Sequence, residues 1–314
     1  MRFSPTPMHI PDGFLTLVVS LFCWVITIVV VAVAIRKTSH ILGQKQVPLM
    51  GIMAAFIFAA QMINFPVAGG TSGHLLGGAL TAIVLGPWPA VLVIAAVIAV
   101  QGLLFQDGGL LVMGANILNM GILTVAVGYG VYRLAANRSR RTRLTVAAIA
   151  AWFSVMTAAL ATSLELWLSG TARLDIVVPA MLFVHALIGI GEALITVATL
   201  AFIMKVRPDL LGSDSVSAKA GIGWAVVGVL IALAVVVISP FASTNPDGLI
   251  RVATDMGFIR SGQAASFSII PHYTLPFLGK TPLSTILAGI IGVLVVLGIV
   301  YMLGQALRKP AGKP

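Results

Sequence analysis

Apolar runs broken by short polar stretches make up most of this chain. Nine of them predict helices, at residues 15–35, 47–64, 74–86, 89–105, 110–134, 144–168, 177–204, 220–239 and 283–307. A helix crosses the hydrocarbon core of a bilayer with roughly 17–25 apolar residues. Every run but the third is that long; residues 74–86 read as a partial span. After the seventh run comes a polar linker, 207–219, holding Pro208, Asp209, Gly212, Ser213, Asp214, Ser215 and Ser217. Beyond it, residues 220–314 read as two helices flanking one long loop, 240–282. The pattern therefore predicts an all-α, polytopic membrane protein of about nine transmembrane helices: a seven-helix unit over 8–206 and a two-helix unit after the linker. No regular internal repeat is visible.

Composition agrees, with 59% hydrophobic and 9% charged residues, where a soluble domain carries roughly a quarter charged. The single cysteine, Cys23, excludes an intrachain disulfide and reads as packed or lipid-facing. The net charge of +10 raises the question of nucleic acid, and its distribution answers it. With the amino terminus outside and the runs alternating, fourteen of the nineteen basic residues fall on inner segments. Among these are Arg36, Lys37, Arg133, Lys205 and Arg207, and the cluster Arg138, Arg140, Arg141 and Arg143 reads as a cytoplasmic anchor. The outer segments hold Arg2, Arg173, Arg251, Arg260 and Lys280. The positive-inside rule gives amino terminus out and carboxyl terminus in, so the basic partner surface is the lipid bilayer, with no nucleic acid. The same orientation puts 8–13, 65–74, 106–109 and 240–282 on the outer side, with Asp12, Asp107, Asp175, Asp247 and Asp255.

That outer side carries the candidate chemistry. A free amine at Met8 followed by His9 would chelate a divalent metal through the amine, the His9 amide nitrogen and the imidazole, in two fused rings. Residues 1–7 would acylate that amine. Their length and lack of an apolar core exclude a secretory signal peptide, so this leader is expected to be absent from the working protein, by a start at Met8 or by cleavage. His74 closes the run Gly69-Gly70-Thr71-Ser72-Gly73, whose glycines allow close approach to another segment. Two imidazoles at the mouth of a helix bundle suit nickel, copper, cobalt or zinc; the plainer alternative is that each caps a helix or ties a loop. Asp107 reads as a ligand, as a partner orienting a histidine, or as a tight Asp-Gly turn. Asn116 and Asn119 need partners inside the bilayer. His185 and Glu192 lie two turns apart on one helix face, where burial of charge is costly; they read as a metal or proton path or as a clasp between helices, and Glu165 reads likewise. Gly70-Thr71-Ser72-Gly73 also matches the G-x-S-G of rhomboid-type intramembrane proteases, with Ser72 and His185 as the alternative catalytic pair. Gly279-Lys280-Thr281 lacks the phosphate-loop glycine, since Thr274 stands there. The chain thus reads as a transport subunit rather than an enzyme, and active transport would draw its energy from partners; a stand-alone metal channel is the other alternative.

Met8-His9-Ile10-Pro11-Asp12-Gly13-Phe14-Leu15 resembles the amino-terminal signature of the CbiM/NikM family, the cobalt- and nickel-specific capture subunits of energy-coupling-factor transporters. Three more stretches resemble the same family: Asn64-Phe65-Pro66-Val67 through Gly73-His74-Leu75-Leu76-Gly77-Gly78; Phe105 to Gly109 with Gly114-Ala115-Asn116; and His185 to Glu192-Ala193-Leu194-Ile195-Thr196. Pro246-Asp247-Gly248-Leu249 resembles the short PDGLE-type extracytoplasmic domain of CbiN/NikN-like pieces, with Ile250 in place of its glutamate. The resemblance implies a metal site of the Met8 amine, the His9 amide and imidazole, and the His74 imidazole, four nitrogens that suit nickel(II) and accommodate cobalt(II). It implies Asn64, Asp107, Asn116, His185 and Glu192 as supporting or pathway residues, and Asp247, Asp255 and His272 as transient metal contacts. It further implies nickel or cobalt as transported substrate with no organic cofactor, a CbiQ/NikQ-like scaffold and CbiO/NikO-like ATPases as partners, and a bacterial cytoplasmic membrane.

Overall fold

A computed structural model describes residues 8–43, 46–211, 223–265 and 267–308. The leader 1–7 and most of the linker 207–219 lie outside these residues. Among the described residues the chain is helical, apart from one small hairpin. The helices are α1 (Leu17–Ile41), α2 (Gln46–Gln61), α3 (Gly78–Leu85), α4 (Pro87–Phe105), α5 (Met113–Ile117), α6 (Thr124–Tyr132), α7 (Arg140–Leu168), α8 (Leu174–Val206), α9 (Gly223–Ile238), α10 (Gly248–Asp255) and α11 (Pro282–Leu307). The hairpin pairs β1 (Phe65–Val67) with β2 (Thr71–Gly73), Phe65 opposite Gly73. A π-helical turn over Leu118–Leu123 joins α5 to α6.

Among the described residues, seven helical stretches are long and apolar enough to cross a membrane: α1, α4, Met113–Ala135 with α5 and α6 in it, α7, α8, Gly223–Phe241 with α9 in it, and α11. The protein is a multi-pass membrane protein of the all-α class. The other two predicted spans fold as shorter helices. α2 has 16 residues, and α3 has eight, all of them buried. α3 starts late and ends early because Gly77 and Gly86 both take positive φ, and Pro87, fixed in φ and lacking an N–H, then opens α4. Residues 74–77 of the third apolar run are consequently non-helical, and α3 is enclosed by protein rather than lipid.

α7 packs along α8, and α2 is enclosed by α4, α9 and α11, so the two helices that follow the linker are packed into the first unit. At one end of the bundle the loops interlock. Ser72 N donates to the carbonyl of Pro246 (2.8 Å), and Ser243 N to that of Asn64 (2.7 Å). Gln263 N donates to the carbonyl of Asp12 (2.7 Å), and the Thr171 hydroxyl to that of Phe14 (2.6 Å). The loop between α9 and α11, with α10 inside it, is thereby tied to the hairpin and to the segment ahead of α1.

Candidate metal centre

The segment ahead of α1 is buried: Met8, His9, Ile10, Phe14 and Leu15 are each less than a tenth exposed. Polar partners hold it. The Asp12 carboxylate accepts from the N–H groups of Leu110 (3.1 Å), Leu111 (2.9 Å) and Val112 (3.2 Å), just where α5 begins. Asn116 on α5 pairs with Ile10 twice, its Oδ1 accepting from the Ile10 N–H (3.0 Å) and its Nδ2 donating to the Ile10 carbonyl (3.1 Å). The buried amide is thus spent on the amino-terminal segment. Gly108 has φ +103°, and a Cβ there would sit 2.9 Å from His9 Cβ and 3.0 Å from Asn116 Nδ2. Only glycine lets the 106–109 loop close over His9.

The candidate donors meet at Asp107. Met8 N donates to Asp107 Oδ1 (2.7 Å). His9 Nδ1 lies 2.9 Å from the Asp107 carbonyl oxygen and 3.7 Å from Oδ1. A carbonyl only accepts, so Nδ1 carries a proton; Nε2 is buried and has no hydrogen-bond partner. The His74 ring stands nearly perpendicular to the His9 ring, 77° apart in plane with centroids 5.6 Å apart. Its Nδ1 donates to the Leu75 carbonyl (2.9 Å). Burial, and secondarily the neighbouring His9, push the His74 pKa down to about 4, so at neutral pH its imidazole is uncharged and has a lone pair to give. Among the described residues no three His, Cys, Asp or Glu side chains converge as a ligand set. A chelate at this place would draw on backbone nitrogen as well as imidazole, with His9 exchanging its Nδ1–H bond to Asp107 for the metal.

Further groups hold these in place. Glu192 on α8, fully buried, accepts from the N–H groups of Leu76 (2.6 Å) and Gly77 (2.8 Å) and so fixes the stretch that follows His74. Tyr273 donates its hydroxyl hydrogen to Asp107 Oδ2 (2.7 Å). Sequence reasoning missed Tyr273; nothing in a loop tyrosine signals a partner 166 positions away. A cavity of about 60 Å³ is lined by Met8, His9, His74, Asn116, His185 and Asp247, among others. His185 Nδ1 donates to the Met181 carbonyl (2.8 Å), one turn back on α8. Asp247 caps α10 by accepting from Ile250 N (2.8 Å); burial raises its pKa to about 8, with the Asp107 charge adding to the effect.

Of the remaining predicted residues, Asn119 also lines the cavity and the others lie elsewhere. Asn64 is buried beside the hairpin and meets the loop through its carbonyl, without lining the cavity. Asp255 is exposed in an ion pair with Arg251 (2.8 Å), and His272 is not among the cavity residues. Asn119 donates to Thr162 (3.1 Å) and Glu165 (2.7 Å), and Glu165 also meets Cys23 (3.5 Å), a clasp joining α1, the π turn and α7. Ser72 donates its hydroxyl hydrogen to the Asn245 carbonyl (2.8 Å) rather than to His185, which is not the arrangement of a serine nucleophile and its base.

Residues 9–210 match the profile of the family described as the cobalt uptake substrate-specific transmembrane region, CbiM, and residues 222–309 match the PDGLE domain. The chain is 36% identical over 304 residues to a putative fused nickel transport protein NikMN of Archaeoglobus fulgidus, covering 96% of this chain and 99% of that protein. It is 30% identical to the fused nickel transport protein NikMN of Rhodobacter capsulatus, covering 97% and 100%. A crystal structure of a truncated transition metal transporter matches with a TM-score of 0.57 at 35% identity, over 63% of this chain and 99% of that one. The chain belongs to the CbiM family of cobalt-uptake substrate-specific transmembrane regions and carries a PDGLE domain after it.

Proposed function

We propose that this protein is the substrate-capturing membrane component of an importer for nickel or cobalt ions. The observation that carries the reading is the burial of Met8, His9 and His74 around one loop at the closed end of the bundle. In this reading the hydrated ion arrives from outside and exchanges water for four nitrogens: the Met8 amine, the His9 amide and imidazole, and the His74 imidazole. Binding displaces protons from the donors, so affinity rises with pH. The reading requires a free amine at Met8, hence loss of residues 1–7 or a start at Met8.

The capture unit spans 8–206, the linker 207–219, and the PDGLE-containing unit 220–314. The ion then leaves through the cavity, where His185 and Asp247 are the transient contacts. Reorientation and release are driven by a separate transmembrane scaffold and ATP-hydrolysing subunits, since the chain has no phosphate-binding loop of its own. The amino terminus faces outward and the carboxyl terminus the cytoplasm, in keeping with the distribution of basic residues. Nickel uptake by cells carrying the chain and its partners tests the reading. His9→Ala and His74→Ala should each reduce uptake to background, and undiminished uptake in both would refute the assignment.

A further inference from the structure

We infer that Tyr273, in the loop of the PDGLE-containing unit, is a positioning residue of the metal site. Its hydroxyl aims the Asp107 carboxylate at the Met8 nitrogen, so the amino-terminal donors are set only when the two units are docked. This deepens the capture function proposed above and rests on it.

Asp107 lies in an irregular loop, between Gln106 at φ +52° and Gly108 at φ +103°. No helix or strand sets the direction of its side chain. Its two oxygens are divided between two donors: Oδ1 takes Met8 N at 2.7 Å, and Oδ2 takes the Tyr273 hydroxyl at 2.7 Å. An ionised carboxylate only accepts, so one donor on each oxygen fixes its rotation. Asp107 is 1% exposed, and no solvent competes.

Tyr273 is itself buried. Its ring stacks on Phe105, with centroids 4.7 Å apart and planes 17° apart, and meets Phe58 at 6.1 Å. The backbone that presents it is unusual: His272 and Tyr273 both take positive φ, +51° and +55°, a region that non-glycine side chains seldom enter. Hydrogen bonds pin the turn on both sides, from Ile270 N to the Leu104 carbonyl (2.9 Å) and from Thr274 N to the Pro271 carbonyl (3.0 Å). Surrounding structure holds the strain, and the result is a hydroxyl delivered to Asp107. With metal bound, the Met8 amine keeps a hydrogen that donates to Oδ1. Asp107 then orients a ligand, and Tyr273 orients Asp107.

The test is nickel affinity of the purified protein beginning at Met8 and carrying both units, by competition with a chelating dye, for the wild type, Y273F, D107N and the double variant. Phenylalanine keeps the ring and its contacts with Phe58 and Phe105. Y273F should weaken binding by about tenfold, the low end of losses for groups that orient a ligand, and shift the ligand-field absorption of bound nickel. In the D107N background it should add nothing, because its effect passes through Asp107. Wild-type affinity and spectrum in Y273F would overturn the inference. So would a loss that adds in full to that of D107N, as a packing defect would. His74→Ala, measured in parallel, separates the two levels: binding abolished there but untouched in Y273F removes this inference alone, whereas binding retained in His74→Ala removes the capture reading with it.

Discussion

His74, a ligand in the proposed site, has its charge state set by its surroundings before any metal arrives. Burial holds its pKa near 4, against 6.5 for an exposed imidazole. Between those values the unfolded chain binds the proton and the folded chain does not, so stability rises with pH across the interval and is lost as pH falls below about 6.5. Thermal unfolding of the detergent-solubilised protein should therefore show a falling Tm from pH 7 to pH 5, and His74→Asn should flatten part of that slope; identical slopes would contradict the burial argument. The sequence points to His9 because an amine followed by histidine is a chelator in its own right, and to His74 because it closes a glycine-rich run on the same outer side. It did not reveal that His9 Nδ1 is held by the Asp107 backbone, nor that Tyr273 meets Asp107, because such partners come from the folded loops and leave no local pattern.

At the scale of elements, apolar run length was a sound guide to the long helices and a poor one to α3. The run 74–86 is largely apolar, but Glu192 holds the non-helical stretch after His74 through the Leu76 and Gly77 N–H groups, and Gly77 turns with positive φ before α3 begins. A carboxylate on a distant helix thus determines where a helix starts. Glu192→Leu should leave the Leu76 and Gly77 N–H groups buried and unpaired, costing roughly 1–3 kcal/mol for each. The expected result is a lower Tm together with weaker nickel binding, as His74 loses its anchor; Glu192→Gln, which retains one acceptor oxygen, should lie between that variant and the wild type. A Tm unchanged in Glu192→Leu would show that other contacts hold the stretch. α10, an eight-residue helix capped by Asp247 within the long loop, was also absent from the sequence reading. Its few buried apolar positions, Leu249, Val252 and Ala253, are too short a pattern to stand out between two spans.

At the scale of the whole molecule, the break after the seventh apolar run is plain in the sequence, while the packing that follows is not. α9 and α11 lie against α2, and the loop between them binds the hairpin, the segment ahead of α1 and Asp107. Covalent separation along the chain therefore coexists with one shared interior, and the amino-terminal donors are buried by residues from both units. The proposed chelate, one nickel or cobalt ion on donors that begin with a free amine at Met8, lies in this interior. Native mass spectrometry of the nickel-loaded protein, isolated from cells that take up the metal, is the decisive test. One nickel per chain is expected on a polypeptide whose first residue is Met8. One nickel on active protein that still begins at Met1 would contradict it.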